Sequence, residues 1–148
     1  MAATLPARLY CDANVFAKEL TRIHRPAWHP LCHLSEVPEA GSTYGLKLLG
    51  RRVFAVRGDD GAIRVFHNVC RHRAHAVVPQ GSSRCARAIV CPNHAWSYGF
   101  DGQLKAAASA NLTARERLVA HFQSWVAPTS VTRCRPQTPP PRGDVLEY

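Results

Sequence analysis

Two short pairs, Cys70-Arg71-His72 and Cys91-Pro92-Asn93-His94, each place a thiol and an imidazole within a few residues of chain. They constrain the fold because these spacings let two turns, at the ends of neighbouring hairpins, face each other and close over one site. Cys11, Cys32, Cys85 and Cys134 have no partner at such spacing. Those four read as free core thiols.

One residue separates the first pair and two separate the second, an order that suits a [2Fe–2S] cluster. There one iron is held by two cysteines and the other by two histidines, so each pair gives one ligand to each metal. Cys70, His72, Cys91 and His94 are therefore the expected cofactor-binding and metal-binding residues. Zinc is the sharper competitor, but paired ligands in structural zinc sites are usually separated by roughly two to five residues, which a C-x-H gap fits poorly. Chance scatter is the third reading in a chain holding 6 Cys and 8 His.

The surrounding sequence supplies strand, loop and strand. Arg52–Arg57 and Ala62–His67 are β-branched and aromatic runs joined by Gly58-Asp59-Asp60-Gly61, a polar loop of hairpin type. The second run feeds into Cys70, Ala88-Ile89-Val90 feeds into Cys91, and Trp96-Ser97-Tyr98 leaves it toward an Asp101-Gly102 turn. Nearer the N-terminus, Asp12 is a plausible cap for a helix in which Val15, Phe16, Leu20 and Ile23 fall near helical spacing. Pro26 ends it. Thr113-Ala114-Arg115-Glu116 has the pattern of a capping box for a short later helix, and Pro128–Pro141 reads as extended or disordered.

At 148 residues the chain has the size of one domain, roughly 100–150 being the commonest range. No run approaches the eighteen or so apolar residues of a membrane helix, and the N-terminus lacks a secretory pattern. A cytoplasmic, reducing location is the expectation, with no membrane partner. The formal charge of +9 raises nucleic-acid binding. The arginines are spread out and no nucleic-acid motif is present, so none is expected; a basic surface beside a redox centre would instead attract an acidic electron donor.

The loops Cys70-Arg71-His72-Arg73-Ala74 and Cys91-Pro92-Asn93-His94-Ala95-Trp96 resemble the Rieske domain of the oxygenase (alpha) component of Rieske non-haem iron ring-hydroxylating oxygenases, in which they read like Cys-Arg-His-Arg-Gly and Cys-Pro-Tyr-His-Gly-Trp. All four ligands match. Ala74 and Ala95 replace glycines, which would store strain if those positions need positive φ. Similarity runs from about Tyr10 to about Leu104: Trp28 resembles the tryptophan that opens the domain and its first strand, and Tyr98-Gly99-Phe100-Asp101-Gly102 resembles the segment after the second loop.

The resemblance implies a mainly β, Rieske-type antiparallel β-sandwich with two cluster-binding hairpin loops, preceded by an N-terminal helix. It divides the chain into a helical segment (1–27), the cluster domain (28–112) and a divergent tail (113–148). It also implies a Rieske [2Fe–2S] cofactor, a reductase or ferredoxin as electron donor, and a separate catalytic oxygenase chain as a possible acceptor. Neutral imidazoles raise the potential into a span of about −150 to +300 mV. Respiratory relatives at the high end carry an extra cysteine in each loop and a serine two places after the second histidine. Trp96 stands at that place and the cysteines are missing, so an oxygenase-like low potential is expected. The family's mononuclear iron needs two histidines and a carboxylate, and His121 is the only histidine after His94; electron transfer without hydroxylation, and no catalytic residue, is the expectation. A truncated or frame-shifted gene is one account of the tail. A stand-alone Rieske ferredoxin is the alternative, with a zinc-stabilised binding module less favoured.

Overall fold

The computed structural model describes residues 4–108, 112, 113, 121 and 122. The capping box and the proline-rich tail fall outside them, apart from Thr113.

Two short helices open the chain, α1 (Arg8–Cys11) and α2 (Ala13–Glu19). Asp12 divides them. Its extended backbone breaks the first helix, and its carboxylate accepts from Asn14 N at 2.7 Å to start the second. A π-helical turn over Leu20–His24 continues α2 as far as the Arg25 N–H to Leu20 carbonyl bond of 2.9 Å, just before Pro26. The spacing of apolar residues suggests a packed face, but Phe16 and Ile23 are each 58% exposed and no residue of these helices is buried.

Seven strands follow among the described residues, all pairing antiparallel. β1 (Ser42–Leu48), β2 (Arg51–Arg57), β3 (Ile63–His67) and β4 (Gly81–Arg84) form one sheet in the order β3-β2-β1-β4. β5 (Ile89–Val90), β6 (Ser97–Tyr98) and β7 (Leu104–Ala106) form the other. The Trp28 segment, expected to begin the first strand, carries none; that strand starts at Ser42. Its hairpin to β2 closes through Leu49 and Gly50, with φ of 45° and 84°, the double positive φ of a type I′ turn. The expected Gly58–Gly61 hairpin joins β2 to β3, where Gly58 N–H bonds the Ala62 carbonyl at 2.8 Å.

β2 is central and buried on both faces, so its apolar residues run continuously instead of alternating. Val53 and Ala55 meet Leu31, Val37, Ile63 and Val65 on one side. Phe54 and Val56 join Phe66 on the other, against Ile89, Tyr98, Phe100 and Leu104 from the second sheet. Phe122 joins that side too, 6% exposed and ringed by Phe54 and Phe66 at 5.5 and 5.8 Å.

Candidate metal centre

The second donor loop closes the β5–β6 hairpin, as expected. The first does not close a hairpin. It leads from β3 to β4, which lie at opposite edges of their sheet because β2 and β1 stand between them. Asn68 steadies this longer crossing. It is buried, its Oδ1 accepts from Val77 N and Val78 N at 2.8 and 3.0 Å, and its Nδ2 donates to the Val78 carbonyl at 2.7 Å. Strand exit and loop return are thereby tied together.

Despite different connections and different gaps between donors, the two loops share one backbone design. Cys70 N donates to the His75 carbonyl at 2.7 Å and Cys91 N to the Trp96 carbonyl at 2.8 Å. Ala74 N returns to the Cys70 carbonyl at 2.9 Å, as Ala95 N does to the Cys91 carbonyl at 3.0 Å. Ala74 and Ala95 both sit at positive φ, 55° and 54°. Equivalent turns with histidine at unequal positions, second after one cysteine and third after the other, let the imidazoles approach a common point from different directions.

The four sequence-derived donors sort into a sulfur pair and an imidazole pair. The sulfurs lie inside, Cys70 and Cys91 each 2% exposed within one apolar cluster. Both imidazoles lie outside, with His72 and His94 edge to face at 4.6 Å between ring centres. His72 also stacks on Trp96, 4.8 Å away and 9° from parallel. Desolvation, then the charges of His94 and Arg73, hold His72 below the ordinary histidine range and favour its neutral, metal-binding form.

Tyr98 was legible in the sequence only as an aromatic after the second loop. Fully buried, it places its hydroxyl 3.3 Å from the Sγ of Cys70. Arg71 N donates to the same oxygen at 3.1 Å. Because that oxygen accepts from the amide, its own proton is free to point at sulfur. Burial, reinforced by Cys70, pushes the phenol well above its usual range, so the proton stays in place.

The cysteines outside the loops are less uniform than expected. Cys32 and Cys85 are half-buried, and burial raises both thiols, with Glu36 adding to the effect at Cys32. Cys11 is exposed, not a core residue, and no residue of the helix that carries it is buried. Cys134 lies outside them. Of the other two histidines near the loops, burial and Arg51 lower His67, while His75 contributes its carbonyl to Cys70 N.

Among the described residues no three His, Cys, Asp or Glu side chains gather around one point. A tetrahedral zinc site needs four convergent donors. A two-iron cluster needs only two protein ligands on each metal, which suits an inner sulfur pair and an outer nitrogen pair. One further feature fits a cluster bearing sulfide: the indole Nε1 of Trp96 is buried without an acceptor among the described residues.

The Rieske [2Fe-2S] domain family matches residues 27–122, about two thirds of the chain. This chain belongs to that family. A Rieske domain implies a Rieske [2Fe–2S] cluster, and here the domain is of the oxygenase type. It is 37% identical over 103 residues to the carnitine monooxygenase oxygenase subunit of Escherichia coli K12, a match covering 70% of this chain and 27% of that one. The crystal structure of the quaternary ammonium Rieske monooxygenase CntA superposes with a TM-score of 0.75 at 30% identity, over 82% of this chain and 34% of the other. Naphthalene 1,2-dioxygenase from Rhodococcus sp. gives 0.70 at 28% identity, over 82% and 28%. This Rieske chain thus spans about a quarter of the length of the curated relatives it matches. No helix among its described residues is long and apolar enough to cross a membrane.

Proposed function

We propose that this chain carries single electrons for a Rieske oxygenase, with Cys70 and Cys91 holding one iron and His72 and His94 the other. The observation that carries the assignment is the sorting of the four donors, buried sulfurs inside and exposed imidazoles outside. When bound, the cluster supplies a one-electron couple near the lower part of the Rieske span of about −150 to +300 mV. Cys70 and Cys91, both buried, would shield the iron they hold from water. His72 and His94, both exposed, would offer the other iron an edge to a docked partner.

The donor is an acidic reductase or ferredoxin. From Gly61 to Phe100 the chain carries no Asp or Glu, and Arg71 and Arg73 flank the exposed His72. A basic tip of this kind speeds encounter with an acidic protein, and salt screens the effect. The acceptor is a catalytic iron in a domain or chain beyond the region described; the carnitine and quaternary ammonium relatives favour a quaternary ammonium substrate for that oxygenase. The domain division at residues 27/28 and 112/113 belongs to the same reading, extended by the packing of Phe122 into the core.

Replacing His72 with Cys in reconstituted protein tests the ligand assignment. A third thiolate should shift the visible spectrum and lower the potential. An unchanged spectrum contradicts the assignment. For the donor, Arg73→Glu should slow reduction by an acidic ferredoxin and weaken its dependence on ionic strength; equal rates for both proteins at low salt would remove the basic tip from the account.

A further inference from the structure

We propose that Phe122 is a positioning residue for Tyr98, holding the phenol against the Cys70 sulfur and so helping to set the potential of the cluster. The inference rests on Cys70 being a cluster ligand. Phe122 arrives in the core from beyond the last strand and is fastened there: its N–H donates to the Gly102 carbonyl at 2.9 Å, and the neighbouring His121 accepts through Nδ1 from Leu104 N at 3.0 Å. Gly102 itself lies against the core: it sits at φ +85°, and a Cβ there would strike the Phe66 ring at 2.6 Å.

The Phe122 ring lies face to face on Tyr98, 3.8 Å between centres and 21° from parallel, closer than its contacts with Phe54 and Phe66. A tyrosine hydroxyl is the far end of its side chain, so a small rotation about χ1 is magnified there. The Cys70 Sγ contact at 3.3 Å and the Arg71 N contact at 3.1 Å both depend on that end being still. One electron entering the cluster adds negative charge, shared by the sulfur ligands, and breaks no bond. A phenol O–H donating to Cys70 stabilises that charge more after reduction than before, which raises the potential. Phe122 would thereby act through Tyr98 on the potential of the cluster.

The test is a double-mutant cycle in midpoint potential on the reconstituted full chain, using Tyr98→Phe, Phe122→Leu and the double variant, with Phe122→Met as the second core variant should Phe122→Leu fail to fold. Tyr98→Phe should shift the oxidised-to-reduced ratio several-fold toward oxidised at fixed ambient potential, and Phe122→Leu should shift it in the same direction by less. In the Tyr98→Phe background the Phe122 substitution should have no further effect, an outcome that general loosening of the core would not give. An unchanged midpoint for both Phe122 variants with the cluster intact, or an equal shift in both backgrounds, overturns the inference while leaving the cluster assignment standing. Wild-type protein without iron and acid-labile sulfide would overturn both.

Discussion

Ala74 and Ala95 adopt the same left-handed backbone, φ 55° and 54°, at equivalent points of the two donor loops. Alanine pays for its Cβ there, on the order of 1 kcal/mol or more per site, whereas glycine adopts this conformation freely. Ala74→Gly and Ala95→Gly should therefore each stabilise the protein by about 1 kcal/mol, and the two should add because they lie in separate loops. Ala74→Val should destabilise. Chemical unfolding of each variant checks this, and a glycine variant less stable than the parent would show that the turns tolerate alanine without strain.

Asn68 satisfies three backbone groups where the first loop meets its strand. Asn68→Ala leaves two N–H groups and a carbonyl buried without partners, at about 1–3 kcal/mol for each unsatisfied group. A loss of about 3 kcal/mol or more is expected from unfolding curves. Asn68→Asp keeps the two accepted bonds but turns a second acceptor toward the Val78 carbonyl, so it should fall between alanine and the parent.

The parts of this structure that were legible in the sequence are those set by neighbours in the chain. The spacing of Cys70 with His72 and of Cys91 with His94, the Gly58–Gly61 hairpin and the Asp12 cap all depend on residues within a few positions of each other. Positions that depend on distant partners were not legible. Nothing near Tyr98 signals that its hydroxyl reaches Cys70, and nothing near Phe122 signals that it returns to the core past Gly102. Periodicity marked Phe16 and Ile23 as a helix face but carried no information about a surface to cover them. The unequal connections of the two loops follow from sheet order, which no local pattern encodes.

Asp60 bridges both guanidinium nitrogens of Arg64, at 2.9 and 2.6 Å, and also accepts from Ala62 N at 3.1 Å. The Arg64 contact, then the Ala62 amide, lowers its carboxyl from 3.8 to about 2. A carboxyl lowered by folding adds stability above its unfolded value, and that stability fades as pH falls from about 4 toward 2. The side chain is exposed, so the effect is small. Thermal melts at pH 6 and pH 3 should show Asp60→Asn less stable than the parent at the higher pH and closer to it at the lower. A constant gap would contradict the pairing.

Binding the cluster would join the two donor loops, and metal-site binding energy is folding energy where the site is absent from the unfolded chain. Removing iron with a chelator under reducing conditions should lower the melting temperature by several degrees or more. Reconstitution with iron and sulfide should restore it, and zinc should not. Full recovery with zinc alone would favour the non-redox alternative.

The central claim is an iron pair bridged by sulfide and held asymmetrically by sulfur and nitrogen. Electron paramagnetic resonance of anaerobically reconstituted, dithionite-reduced protein tests it most directly, alongside iron and sulfide analysis. A rhombic signal with iron and acid-labile sulfide in equal amounts is expected. A colourless, silent protein, or one carrying metal without sulfide, would contradict the account.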